Sequence, residues 1–169
     1  YDTSMAYKSI SLEEQLEALG RAVRQGKIRY VGLSNETPWG LARCALLAKQ
    51  HPDVYPQIVS LQNAYSFTCR TFDMGLAEVC HEERISLLAY SPLAMGLLTG
   101  KYLAEDGGPP GARLNLYRGR YAEAESRYGP RPHVAKAVSS YVGIAASVGI
   151  SPVELALRFV LGHPLVASA

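Results

Sequence analysis

Three short strand-like runs constrain this chain more than anything else in it. They are expected to be strands over 27–33, 58–61 and 85–89, and they end in Ser34-Asn35, Gln62-Asn63 and Tyr90-Ser91. A helical pattern precedes each run. Ser11-Leu12-Glu13-Glu14 reads as a capping box, followed by Leu12, Leu16, Leu19 and Val23 at helical spacing and by Gly26, placed to end the helix in a left-handed conformation. Thr37-Pro38 supplies a cap and a first-turn proline, Leu41, Cys44, Leu47 and Ala48 form one face, and His51-Pro52 closes the helix. A third helix is expected over 72–83, with Phe72, Leu76, Val79 and Cys80 on one side. Helix and strand alternating at this spacing imply right-handed parallel crossovers, and therefore an α/β fold.

In such folds ligands sit at the carboxyl ends of the strands, where the loops converge. Tyr90 offers a flat ring there, the backbone over 91–100 offers N–H groups, and Lys101 offers a positive charge. That combination suits a flat heteroaromatic group attached to phosphates, although a buried strand and an ordinary turn fit the same residues. Ser34-Asn35 equally suits helix capping. Gln62 follows the run Ile58-Val59-Ser60-Leu61, three of whose four residues are apolar, and is expected to be buried and to need a partner. Amide side chains beside an aromatic ring on neighbouring strands suit the carboxamide of a nicotinamide stacked on that ring.

Beyond Tyr102 the sequence loses its period over 103–132, a stretch holding Gly107-Gly108-Pro109-Pro110-Gly111 and the arginines Arg113, Arg118, Arg120, Arg127 and Arg131. A structureless segment of that length is expected to be a functional lid or a flexible loop. A helix follows from about His133 to Gly149, then a second capping box, Ser151-Pro152-Val153-Glu154, opening a helix through Leu155, Phe159 and Val160. His163-Pro164 stops it, and 165–169 reads as the start of a strand. Residues 1–10 read as an irregular loop, and a chain that opens on Tyr1 is expected to have lost its natural start.

Composition excludes several classes. At 169 residues, with 48% hydrophobic and 19% charged, the chain can bury a core as one domain. Its 17 Lys and Arg against 15 Asp and Glu are scattered, which argues against a nucleic-acid partner or a membrane surface. No run approaches the roughly 18 apolar residues of a membrane span. Cys44, Cys69 and Cys80 form no C-x-x-C pair, so neither a disulfide framework nor a zinc site is indicated. Cys44 and Cys80 are expected in the core, which suits a reducing compartment, the cytoplasm first and a plastid as well. The four histidines lie far apart and read as solvated or helix-end residues rather than metal ligands.

The stretches Gly26-Lys27-Ile28-Arg29-Tyr30-Val31-Gly32-Leu33-Ser34-Asn35, Gln62-Asn63-Ala64-Tyr65-Ser66 and Leu88-Ala89-Tyr90-Ser91-Pro92-Leu93 resemble the aldo-keto reductases. The likeness continues through Gly100-Lys101-Tyr102, Pro109-Pro110-Gly111-Ala112-Arg113 and Phe159 to Ser168, and so covers nearly the whole chain. It is nearest to the branch of the bacterial Tas-type reductases and the β subunits of voltage-gated potassium channels. The resemblance implies a partial TIM (β/α)8 barrel, with residues 1–169 as its C-terminal half, from the helix before the fifth strand to the start of the eighth. It implies NADPH as cofactor: Ser34, Asn35 and Gln62 on the carboxamide, Tyr90 stacked on the nicotinamide, and Ser91, Leu93, Lys101 and Arg113 along the phosphates.

The implied chemistry is hydride transfer from NADPH to an aldehyde or ketone, with a tyrosine donating the proton beside lysine, aspartate and histidine. Those four lie on the family's first four strands, and none can be placed here. No catalytic residue is therefore assigned, and the chain alone is expected to be inactive. Its expected partners are a small carbonyl compound and the missing N-terminal half of the barrel. A half barrel would leave two open sheet edges and a bare inner face. Two rival readings are a non-catalytic NADP-binding regulatory subunit of the channel-β type and a truncated product without activity of its own.

Overall fold

Local chemistry starts the helices where the sequence places them. In the computed structural model, which describes residues 10–169, the Glu14 N–H donates to Ser11 Oγ at 3.1 Å and opens α1 (Leu12–Arg24). Of the loop expected over 1–10, all but Ile10 lies outside the described residues. Gly26, at φ 69°, ends α1 with the paired bonds of a Schellman motif: Lys27 N–H to Ala22 O and Gly26 N–H to Val23 O. Thr37 Oγ1 accepts from Gly40 N–H and caps α2 (Pro38–Gln50). Ser151 caps α7 (Pro152–Leu161) in the same way through Glu154 N–H. Gly149, at φ 70°, closes α6 (Pro132–Ser147).

Four parallel strands form one sheet in sequential order: β1 (Val31–Ser34), β2 (Ile58–Ala64), β3 (Ser86–Tyr90) and β4 (Val166–Ser168). This is the expected α/β class, and it is consistent with part of a (β/α) barrel. β1 is shorter at its start than expected, because the Schellman turn carries the chain through Lys27 and leaves Tyr30 75% exposed. β2 is longer, so Gln62 and Asn63 lie inside the strand rather than after it. The helix expected over 72–83 is broken at Gly75, φ 152°, into a 3-10 turn, Thr71–Met74, and α3 (Leu76–Glu83).

One face of the sheet carries the core. Val31, Leu61, Leu87 and Ala89 pack there with Leu16 of α1, Leu41 and Cys44 of α2, Cys80 of α3 and Val160 of α7. The opposite face is bare. Register aligns Ser34, Gln62, Leu88 and Ser168 in one row across all four strands, and of these only Leu88 is half-buried. The burial expected for Gln62 is therefore not found: successive strand residues alternate faces, and Gln62 points to the uncovered side.

The long segment is not structureless. The short turn Lys101–Leu103 leads into it, and it contains the helices α4 (Arg113–Leu116) and α5 (Ala122–Tyr128). Asn115 Nδ2 donates to the carbonyls of Gly107, Gly108 and Pro109, and the Leu114 N–H donates to the Tyr102 hydroxyl. Side-chain bonds to the backbone 6 to 12 positions away fix this segment, at no helical or strand period, which is why periodicity does not reveal it. Among the described residues no single helix is long and apolar enough to cross a membrane.

Candidate functional site

Tyr90 ends β3 and Asn35 follows β1, with β2 between them. The Tyr90 hydroxyl donates to Asn35 Oδ1 at 2.6 Å and accepts from Arg127 Nη1 of α5 at 2.8 Å. The ring is thus fixed at its edge by a strand end and a helix of the long segment. Asn35 itself sits at φ 55°, a left-handed conformation that asparagine tolerates better than most residues, with its N–H bonded to Gln62 O. Ser34 Oγ also donates to Gln62 O, at 3.2 Å, and the Gln62 amide side chain has no partner among the described residues.

Two clefts meet at this platform. The larger, about 650 Å³, runs from Asn35, Asn63 and Tyr90 past Phe67 to Arg131 and Tyr141. The smaller, about 170 Å³, is bounded by Ser91, Met95, Arg113 and Tyr121. Tyr90, Arg127 and Tyr128 line both. Arg113 and Ser91 thus line the same small cleft as Tyr90, while Ser34, Gln62, Leu93 and Lys101 line neither of these clefts. Leu93 packs in a second core with Ala94, Leu98, Val138 and Ala156. Lys101 Nζ lies 5.3 Å from the Tyr102 ring centroid and close against Gly96.

The turn after Tyr90 is tighter than a loop of free donors. Ser91, Ala94 and Met95 all have φ near 50°, and the N–H groups of Ala94, Gly96, Leu98 and Gly100 bond to carbonyls within 91–97. The expectation that 91–100 presents its backbone N–H groups to a ligand does not hold for those four. Short-range bonds satisfy them first.

Sequence reasoning missed Asn63 and Arg127. Asn63 Oδ1 is buried without a hydrogen-bond partner and its residue lines the large cleft. The need for a partner, argued for Gln62, falls on its neighbour, because alternation sends Asn63 to the covered side. The Gln62-Asn63 pair carried that signal; nothing in the sequence tied Arg127 to Tyr90. Among the described residues no group of three or more His, Cys, Asp or Glu side chains is arranged to hold a metal ion.

Comparison with known proteins adds a family. The family model described as the aldo/keto reductase family matches residues 2–169. Protein tas of Escherichia coli (strain K12) is 44% identical over 170 residues, covering 99% of this chain and 46% of that protein. An aldo-keto reductase of Babesia bovis is 43% identical over 164 residues, 95% of this chain and 55% of the relative. Human aflatoxin B1 aldehyde reductase member 2 is 32% identical over 166 residues, 94% of this chain and 45% of the relative. The chain spans about half the length of the curated relatives it matches.

Proposed function

The chain belongs to the aldo/keto reductase family, and from that premise we propose that it forms the cofactor-holding part of an oxidoreductase that reduces aldehydes or ketones with NADPH. In this reading its four strands are the fifth to eighth of a (β/α)8 barrel, and the bare row Ser34, Gln62, Leu88, Ser168 faces the barrel interior that the other half would complete.

The observation that carries the proposal is the tyrosine ring held by hydrogen bonds at the strand ends between two clefts. The residues present fit a nicotinamide. Tyr90 supplies a platform and Asn63 Oδ1 an acceptor that still needs a donor, while Gln62, an uncommitted amide on the other face of β2, would approach only from the barrel interior. Ser34 and Asn35 complete the polar surround for a carboxamide, Asn35 through its amide nitrogen because its oxygen accepts from Tyr90. Ser91 and Arg113 would hold the pyrophosphate in the smaller cleft. Leu93 supports the turn from below, and Lys101 is left the outermost phosphate. When bound, NADPH supplies the hydride; these residues orient it and exclude water from one of its faces. Tyr90 is bonded at both sides of its hydroxyl and is not assigned as the proton donor, which we place in the missing half.

Assaying NADPH oxidation with 4-nitrobenzaldehyde by the complete polypeptide tests the proposal, alongside NADPH titration by fluorescence. Turnover is expected for the complete polypeptide and none for residues 1–169 alone, where loss of a positioned acid costs roughly 10²–10⁴-fold. Cofactor binding without turnover would favour the regulatory-subunit reading, and neither binding nor turnover overturns both.

A further inference from the structure

A further pocket opens at the opposite ends of the strands. About 500 Å³ in volume, it is built where β1, β2 and β3 begin, on Val31, Ile58 and Ile85, with α2 as one wall. Along β3, at about 3.3 Å per residue, Ile85 and Tyr90 stand about 17 Å apart. Neither of the clefts at Tyr90 shares a residue with this pocket.

Its lining combines aromatic rings with one spare charge. Tyr55 lies between Pro52 and Pro56, and the His51 ring packs edge-on against it at 5.9 Å. Prolines have no rotamers to lose and a braced tyrosine has few, so this wall costs little to order around a ligand. Tyr30, largely exposed, offers a second ring at the rim. Three charged side chains line the pocket: Arg29, Lys49 and Glu83. Lys49 Nζ and Glu83 Oε2 satisfy each other at 2.6 Å. Arg29, exposed beside Tyr30, has no hydrogen bond or ion pair among the described residues.

From this we infer that the pocket is a ligand site separate from the reductase chemistry, taking a flat aromatic or heteroaromatic carboxylate of one or two rings. The ring body lies against Tyr30 and Tyr55 above the apolar strand starts. The carboxylate meets the Arg29 guanidinium, whose planar fork matches it. A cationic ligand would gain less, because the one carboxylate in the lining is already paired with Lys49. The volume falls in the range of pockets that enclose small organic molecules.

The test titrates indole-3-acetate and its neutral counterpart indole-3-acetamide into the complete polypeptide by calorimetry, with and without saturating NADPH. Wild type, Arg29→Gln and Tyr30→Ala are compared; both side chains are exposed, and melting curves check that the variants fold. Wild type is expected to bind the acetate about fivefold more tightly than the acetamide, as one well-placed exposed ion pair provides. Arg29→Gln should abolish that difference, and Tyr30→Ala should weaken both ligands at least about fivefold. Equal wild-type affinity for the two compounds, or affinities that neither variant alters, overturn the inference. Absence of binding by wild type at millimolar concentration overturns it as well. Loss of acetate binding on addition of NADPH overturns it by placing the carboxylate at Tyr90. None of these outcomes depends on turnover, so the reductase reading stands or falls separately.

Discussion

The Tyr90 hydroxyl reaches across β2 to donate to Asn35 Oδ1 at 2.6 Å, so the ends of β1 and β3 are joined by side chains as well as by the sheet. This bond changes what substitution of the tyrosine should do. A purely stacking ring could be exchanged for any flat ring at no cost. Here Tyr90→Phe removes a donor to Asn35 and an acceptor from Arg127, and should cost about 1 kcal/mol per bond lost. We expect Tyr90→Phe to lower the melting temperature by several degrees while holding NADPH affinity within a few fold. Tyr90→Ala should weaken cofactor binding by about 1–3 kcal/mol, as at other aromatic stacking platforms. NADPH fluorescence titration and melting curves on both variants check this; full affinity in Tyr90→Ala removes the stacking role.

Asn115 should act as the clasp of the long segment, since its amide binds three consecutive carbonyls. Asn115→Ala is expected to speed tryptic cleavage at Arg113, Arg118 and Arg120 with little change in global melting. Unaltered cleavage rates would mean that the Tyr102–Leu114 bond and the packing of α4 suffice without it.

Two helical glycines should respond to alanine with opposite signs. Helix propensity alone favours Gly→Ala by about 1 kcal/mol. A Cβ on Gly143 of α6 meets nothing within 4 Å, so Gly143→Ala should stabilise by roughly that amount. A Cβ on Gly20 of α1 would stand 2.0 Å from the Val54 carbonyl oxygen, a backbone atom that Arg24 also holds. Gly20→Ala should therefore destabilise by about 1–3 kcal/mol, as overpacking does. Urea denaturation of the two variants decides, and a stabilising Gly20→Ala would refute the packing of α1 on the segment after α2.

Stability should fall on the alkaline side. Burial pushes the Cys80 thiol up to about 11 and raises Cys44 as well. Burial also raises Tyr65, with the Asp73 carboxylate adding to it. A raised value means that the folded state holds its proton more tightly, so this contribution is complete below the unfolded value, about 8.5 for a thiol, and is lost as pH rises toward 11. Urea midpoints at pH 7, 9 and 10 should decline, and the Cys44→Ala/Cys80→Ala double variant should flatten the decline between about 8.5 and 10. Over the same range Cys69, the more exposed thiol, should react first with a disulfide reagent.

The helix caps of α1, α2, α6 and α7 were legible because their causes are local. Ser11, Thr37 and Ser151 act within three residues of themselves, and Gly26 and Gly149 within one turn. What could not be read depended on distance in space. The exposure of Gln62 follows from what does not cover that side of the sheet, and no pattern within β2 carries that information. The order of the segment after Tyr102 comes from one asparagine and one tyrosine hydroxyl, and both look like ordinary loop residues in sequence. Tyr90 was legible as a flat ring, but its bonds to Asn35 and Arg127, 55 and 37 positions away, were not.

Phe67 is sandwiched between Tyr141, at 4.3 Å, and Phe159 of α7, at 4.1 Å, and Phe159 in turn lies 5.5 Å from Tyr65. Only Phe67 and Tyr141 touch the large cleft; Phe159 and Tyr65 stand behind them. For descent with modification this makes the cleft wall a linked character. A smaller ring at Phe67 opens a gap on both sides at once, and only a compensating change on α6 or α7 closes it. Lineages drifting toward a bulkier or slimmer substrate would have to alter these rings in concert, leaving correlated substitutions far from the reacting carbonyl.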